Sequence, residues 1–133
     1  LGQVRLEKTS AVDKDCLGTT LTPFLAEQTE AVAPGECVVW RLTATNEGSA
    51  TVNNVVMSDA APEFTTYETG SLKFCHGNAC DPVTVSDDAN DDQGTYSSGL
   101  IKFFASDVAP VPVEGGSLLP GQQATGEFKV KVE

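Results

Sequence analysis

Hydrophobic and β-branched residues in this chain recur at every second position, in short runs separated by Gly, Pro, Asn and Asp, and no helical period of useful length appears. Such alternation sends successive side chains to opposite faces of an extended strand, so the pattern predicts an all-β chain. The clearest run follows the turn at Pro34-Gly35. Val38, Trp40, Leu42 and Ala44 share one face, Cys37, Val39, Arg41, Thr43 and Thr45 the other, until Asn46-Glu47-Gly48 turns the chain. A second clear run follows Pro120-Gly121, with Ala124, Gly126, Phe128, Val130 and Val132 facing in and Thr125, Glu127, Lys129 and Lys131 facing out.

Weaker runs fill the interval. Gln3 to Thr9 reads as a first strand with Val4 and Leu6 on its inner face. Residues 10 to 33 read as an irregular excursion, with a short strand near Leu21 to Leu25 broken by Pro23. Val52 to Ser58 offers Val55 and Met57 inward. Extended stretches follow at Thr65 to Phe74 and Leu100 to Ala105, whereas Val108 to Gly116, with its prolines, is a poor strand. About seven to nine short strands at this spacing predict an immunoglobulin-like antiparallel β-sandwich. The 133 residues suffice for one domain with a hydrophobic core, so residues 1 to 133 are expected to form a single unit.

Charge then narrows the partners. Nineteen acidic residues against eight basic ones give a net charge of −11. The basic residues are scattered, which argues against nucleic acid, and an anionic membrane would repel such a surface. No run approaches the roughly 20 apolar residues of a membrane span. The start at Leu1 shows no signal-peptide pattern, as expected of a mature chain whose export signal has been removed.

Four cysteines, Cys16, Cys37, Cys75 and Cys80, permit three pairings. The short loop from Cys75 to Cys80 suits a hairpin closed by its own bridge, which leaves Cys16 to Cys37 and ties the irregular segment to the outward face of the Trp40 strand. Zinc fits poorly, because one pair is spaced Cys-x4-Cys while the other two cysteines lie far apart in the chain. An even set of bridged cysteines predicts export to an oxidising, extracellular or cell-surface setting.

Candidate chemistry concentrates at Ser86 to Gly94. Asp88, Asn90 and Asp92 stand at the first, third and fifth positions from which oxygens converge on a hard cation, so calcium is the candidate ion, the alternative being a solvated acidic loop that binds none. Gln93 and Gly99 occupy the places where a full EF-hand needs Gly and a bidentate Glu, which rules that motif out. No catalytic set accompanies the lone His76, no phosphate-cradling glycine loop is present, and an enzyme is not expected. Lys8 lies near the inward row of the first strand, where some surface-domain sandwiches join a Lys to an Asn or Asp. Asp59 is a conceivable partner, but the favoured reading is an edge lysine that blunts aggregation.

Three stretches together carry a family resemblance: Ala33-Pro34-Gly35-Glu36 leading into Val38 to Gly48, Asn54 to Pro62, and Leu119-Pro120-Gly121 before the last strand. They resemble the repeat domain of prokaryotic surface proteins called domain of unknown function eleven. The resemblance implies an immunoglobulin-like bead of adhesins, surface layers and stalks, with no catalytic residues. The cysteines, the insertion at 10 to 30 and the Pro-rich stretch at 108 to 116 depart from the pattern. The expected function is therefore a structural subunit that assembles with copies of itself through sheet edges, its first strand a principal contact. The alternative is a surface module that grips a glycan or host protein through end loops, with Phe24, Phe64 and Tyr96 as its loop aromatics.

Overall fold

A computed structural model describes residues 2–89, 91–106 and 115–133. Among these, ten strands form two antiparallel sheets that face one another: β1 (Val4–Asp13), β2 (Cys37–Asn46), β3 (Val52–Ala60), β4 (Thr65–Tyr67), β5 (Lys73–His76), β6 (Val83–Thr84), β7 (Gly94–Ser97), β8 (Leu100–Phe104), β9 (Gly116–Leu118) and β10 (Gln123–Val132). The first sheet runs β1-β2-β10-β5-β6, with β4 also on β10, and the second runs β7-β8-β3-β9. The all-β sandwich expected from the alternation is the observed fold. Ten strands replace seven to nine because β6, β7 and β9 are too short to carry a hydrophobic period, although Tyr96 of β7 and Leu118 of β9 pack on the core.

The last strand holds the first sheet together. β10 lies between β2 and β5, pairing Phe128 with Trp40 and Gly126 with Phe74. Its inward row of Ala124, Gly126, Phe128 and Val130 is buried, as are Leu42 and Ala44 of β2 beside it. From the opposite sheet come Val55, Met57, Ile101, Phe103 and Leu118, completing one core. Val38 and Trp40 pack against that core while remaining partly exposed. At the centre the two sheets approach so closely that a Cβ on Gly126 would stand 2.4 Å from the Phe103 ring.

Two strands differ from the sequence reading. The first strand continues to Asp13, and its buried end is Ser10 to Asp13, whereas Val4 is 40% and Leu6 53% exposed. Val4 and Leu6 do lie in the inward row, opposite Asn46 and Ala44. However, β1 is a margin strand, and its first half is incompletely covered. The stretch from Thr65 to Phe74 is broken in two, since Gly70 adopts a positive φ of 79° and the chain turns between β4 and β5. The Pro-rich excursion lies mostly outside the described residues.

Replacing Gly126 with Ala should test the central approach. We expect a loss of about 1–3 kcal/mol in urea unfolding, because the Phe103 ring must move off its rotamer to admit a methyl group.

Candidate functional site

The outer margin of β1 is one edge of the first sheet. β1 pairs with β2 along its full length, from Val4 opposite Asn46 to Asp13 opposite Cys37. In an antiparallel ladder, alternate residues turn both backbone groups away from the partner strand. Here these are the even-numbered residues. Ser10 exchanges two bonds with Leu25, at 3.0 and 2.9 Å, and Val12 accepts from Thr22 N and donates to Thr22 Oγ1. The backbone groups of Val4, Leu6 and Lys8 point the same way and meet no partner among the described residues. One half of the margin is therefore closed by the excursion, at Ser10–Leu25 and Asp13–Leu21, and the other half is free.

The cap over the closed half is built on the outward face of the first sheet. A disulfide joins Cys16 to Cys37, and a second joins Cys75 to Cys80. The first bridge draws the excursion across β2, which buries Cys37 and Val39 although their row was read as facing out. Charges beneath the cap are paired. Asp13 is fully buried, accepts from the Gly18 amide, and lies 2.7 Å from Lys129 Nζ, which also donates to the Cys16 carbonyl. Beside it, Arg41 meets Glu127 at 2.7 Å while its guanidinium stacks 3.7 Å from the Phe24 ring centroid. Phe24, one of the three loop aromatics, is thus engaged within the fold. Between the cap and the β4–β5 turn lies a cleft of about 330 Å³, lined by Leu21, Glu68, Thr69, Gly70 and Lys73 together with the buried pair.

The acidic loop serves the fold more than any convergent site. Asp87 accepts the Tyr67 hydroxyl at 2.6 Å and the Gly70 amide at 2.9 Å. Asp92 accepts the amides of Ser86 and Gly94. Three of the loop's four carboxylates therefore accept from protein donors, Asp91 from the neighbouring Asp92 amide, while Asp88 is exposed. Asn90 lies outside the described residues. Among the described residues no group of three or more His, Cys, Asp or Glu side chains gathers around a common point.

Tyr67 stacks on Tyr96, their centroids 4.0 Å apart, so this second loop aromatic is also engaged within the fold. Phe64 alone of the three stands free, at 75% exposure. His76 meets the Ser117 carbonyl at 2.9 Å, and the Ser117 hydroxyl donates to the Asn53 side chain. The sequence pattern marked the cysteines correctly but missed the Asp13–Lys129 and Tyr67–Asp87 pairs. The available signal for the first was the charged outward row Glu127, Lys129 on a strand whose neighbour carries the tethering Cys37.

Two disulfides suit an oxidising environment, and among the described residues no helix is long and apolar enough to cross a membrane. Comparison with known proteins finds no matching family model, no matching curated protein and no matching solved structure.

Burial, and next the Asp87 carboxylate, push the Tyr67 hydroxyl well above its ordinary range. A raised folded value means that the stability it contributes is full below about pH 10, the unfolded value, and is lost as pH rises toward the folded one. In an alkaline titration followed by phenolate absorbance, Tyr67 should therefore ionise in a late step that coincides with loss of the fold. Replacing Tyr67 with Phe should abolish that late step.

Proposed function

We propose that this protein is an extracellular structural subunit that assembles with copies of itself through the edges of its first sheet. The observation that carries the reading is the free half of β1, where three successive outward-facing backbone positions, Val4, Leu6 and Lys8, have no partner among the described residues. Such an edge is a template for another strand. Its own side chains add exposed apolar surface at Val4 and Leu6. The opposite edge of the same sheet is β6, whose Val83 is 65% exposed. Joining the β1 edge of one subunit to the β6 edge of the next continues the sheet across the contact. That contact is heterologous and open, and it propagates as a fibre or lattice.

Other features support the same reading. Two disulfides and a strongly acidic surface suit a secreted or cell-surface protein. The resemblance of residues 33 to 62 and 119 to 121 to the domain of unknown function eleven points to the same setting. Because β1 is already paired with β2 inside its own chain, assembly by edge addition fits better than donation of β1 to a neighbour. The role is structural and not enzymatic. A second reading, a surface module that grips a glycan or host protein, draws support from the exposed Phe64 and from the cleft beside Lys73.

Leu6→Pro tests the edge directly. Its amide points away from β2, so proline removes an outward donor while leaving the internal ladder intact. Electron microscopy and sedimentation should show fibres or oligomers of the parent protein and monomers of the variant, with unchanged circular dichroism. A parent that stays monomeric across concentration, or a variant that assembles equally well, defeats the proposal. Calcium enters this reading only at the acidic loop, where Asp88 is free to ligate. Binding there should raise the melting temperature in millimolar calcium over that in excess chelator, and coincident curves remove calcium from it.

A further inference from the structure

Lys8 and Asp59 come from facing sheets and point toward each other. Lys8 is in the inward row of β1, directly opposite Leu42, and Asp59 continues the inward row of Val55 and Met57 on β3, opposite the buried Ile101. At the margin of the core, Lys8 Nζ lies 2.7 Å from Asp59 Oδ2 and 4.6 Å from the centroid of the Trp40 ring. This contact is unlike the other ion pairs. Asp59 Oδ2 has no solvent contact, and the amine, though adjacent, is not aligned to donate a hydrogen bond to it. The only other buried side-chain polar atom without a hydrogen-bond partner among the described residues is Trp40 Nε1. Both orphaned atoms thus belong to residues that touch Lys8.

We propose that Lys8 and Asp59 form an intramolecular isopeptide bond, a covalent staple from β1 of one sheet to β3 of the other. The ammonium first passes one proton to the Asp59 carboxylate, which gives a neutral amine and a neutral acid. The amine lone pair then attacks Asp59 Cγ, forming the C–N bond. A second proton moves from nitrogen to the departing hydroxyl, the C–O bond breaks, and one water leaves. One hydrogen remains on nitrogen, the charges of the pair cancel, and no oxidant or other reactant is needed. Two physical effects favour the step. An ion pair with a solvent-excluded oxygen carries a desolvation penalty that a neutral amide does not. Fixing the reacting groups on two packed strands also replaces a bimolecular encounter with an intramolecular one, for which effective molarities reach about 10⁵–10⁸ M. The Lys8 side chain is 39% exposed, so the released water has a path to solvent.

This inference is independent of self-assembly, because it is read on single denatured chains. Intact-mass measurement of the purified protein should give a value one water lighter than the chain with two disulfides. After reduction and digestion, tandem spectra should show a branched peptide joining Lys8 to Asp59. Lys8→Arg and Asp59→Ala should both recover the full disulfide-corrected mass for their sequences and melt roughly 10 °C lower, the order expected for loss of a cross-link that closes a long loop. A parent of full mass overturns the proposal. So does a water loss that persists in Lys8→Arg, which marks a cyclic imide at the aspartate, or a branched peptide mapping elsewhere. Should either variant fail to fold, the parent mass and its branched peptide decide alone.

Discussion

The sandwich depends on the approach of its two sheets at Gly126. Phe103 of β8 lies against bare backbone there, because any side chain on Gly126 would occupy the ring's volume. That contact fixes the sheet separation at the middle of β10, the strand flanked by both β2 and β5. Leu42, Phe74 and Phe128 then close around the ring from the first sheet, with Phe74 stacked 6.1 Å from it. A protein interior packed at crystal-like density passes such a constraint outward, so rows that begin at Gly126 also set where the margins of the sheets fall.

The outward face of the first sheet carries a second, smaller burial of a different kind. Its contents are mixed: Ala11, Cys37 and Val39 are buried beside two ion pairs, Asp13 with Lys129 and Arg41 with Glu127, under a segment held by Cys16–Cys37. Buried ion pairs add little net stability over apolar packing, but leaving one partner alone is costly. The arrangement therefore specifies where the excursion docks more than it strengthens the fold. An apolar patch could accept the segment in several positions. Two charge pairs and a disulfide accept it in one.

How far the sequence was legible follows from this division. Strands with strict alternation, β2 and β10, were readable with their core faces, since period-two burial leaves a direct trace in residue type. The disulfide pairing followed from chain separation. The extent of β1 was not readable, because Ser10, Ala11 and Asp13 are small or polar and are buried by a segment that comes later in the chain. β7 was hidden for a similar reason: its Gly94 is buried beneath Val85 and Leu72, a contact that contains no side chain to recognise. In the acidic loop the spacing suggested convergence on a cation, whereas Asp87 and Asp92 turn toward Tyr67, Gly70, Ser86 and Gly94. Spacing along a chain cannot report donors supplied by distant strands. Lys8 and Asp59 were legible as a conceivable pair, but their proximity requires both sheets to be in place.

The placement of β1 and β10 on either side of β2 has a mechanical consequence. Both run antiparallel to β2, so the start of β1 and the end of β10 lie at opposite ends of the same sheet. A pull applied at Val4 and Val132 loads the two ladders along the strand axes. Their hydrogen bonds must then fail together in shear, instead of one after another as in a zipper. A domain wired this way resists stretching along its length while remaining easy to peel from the side.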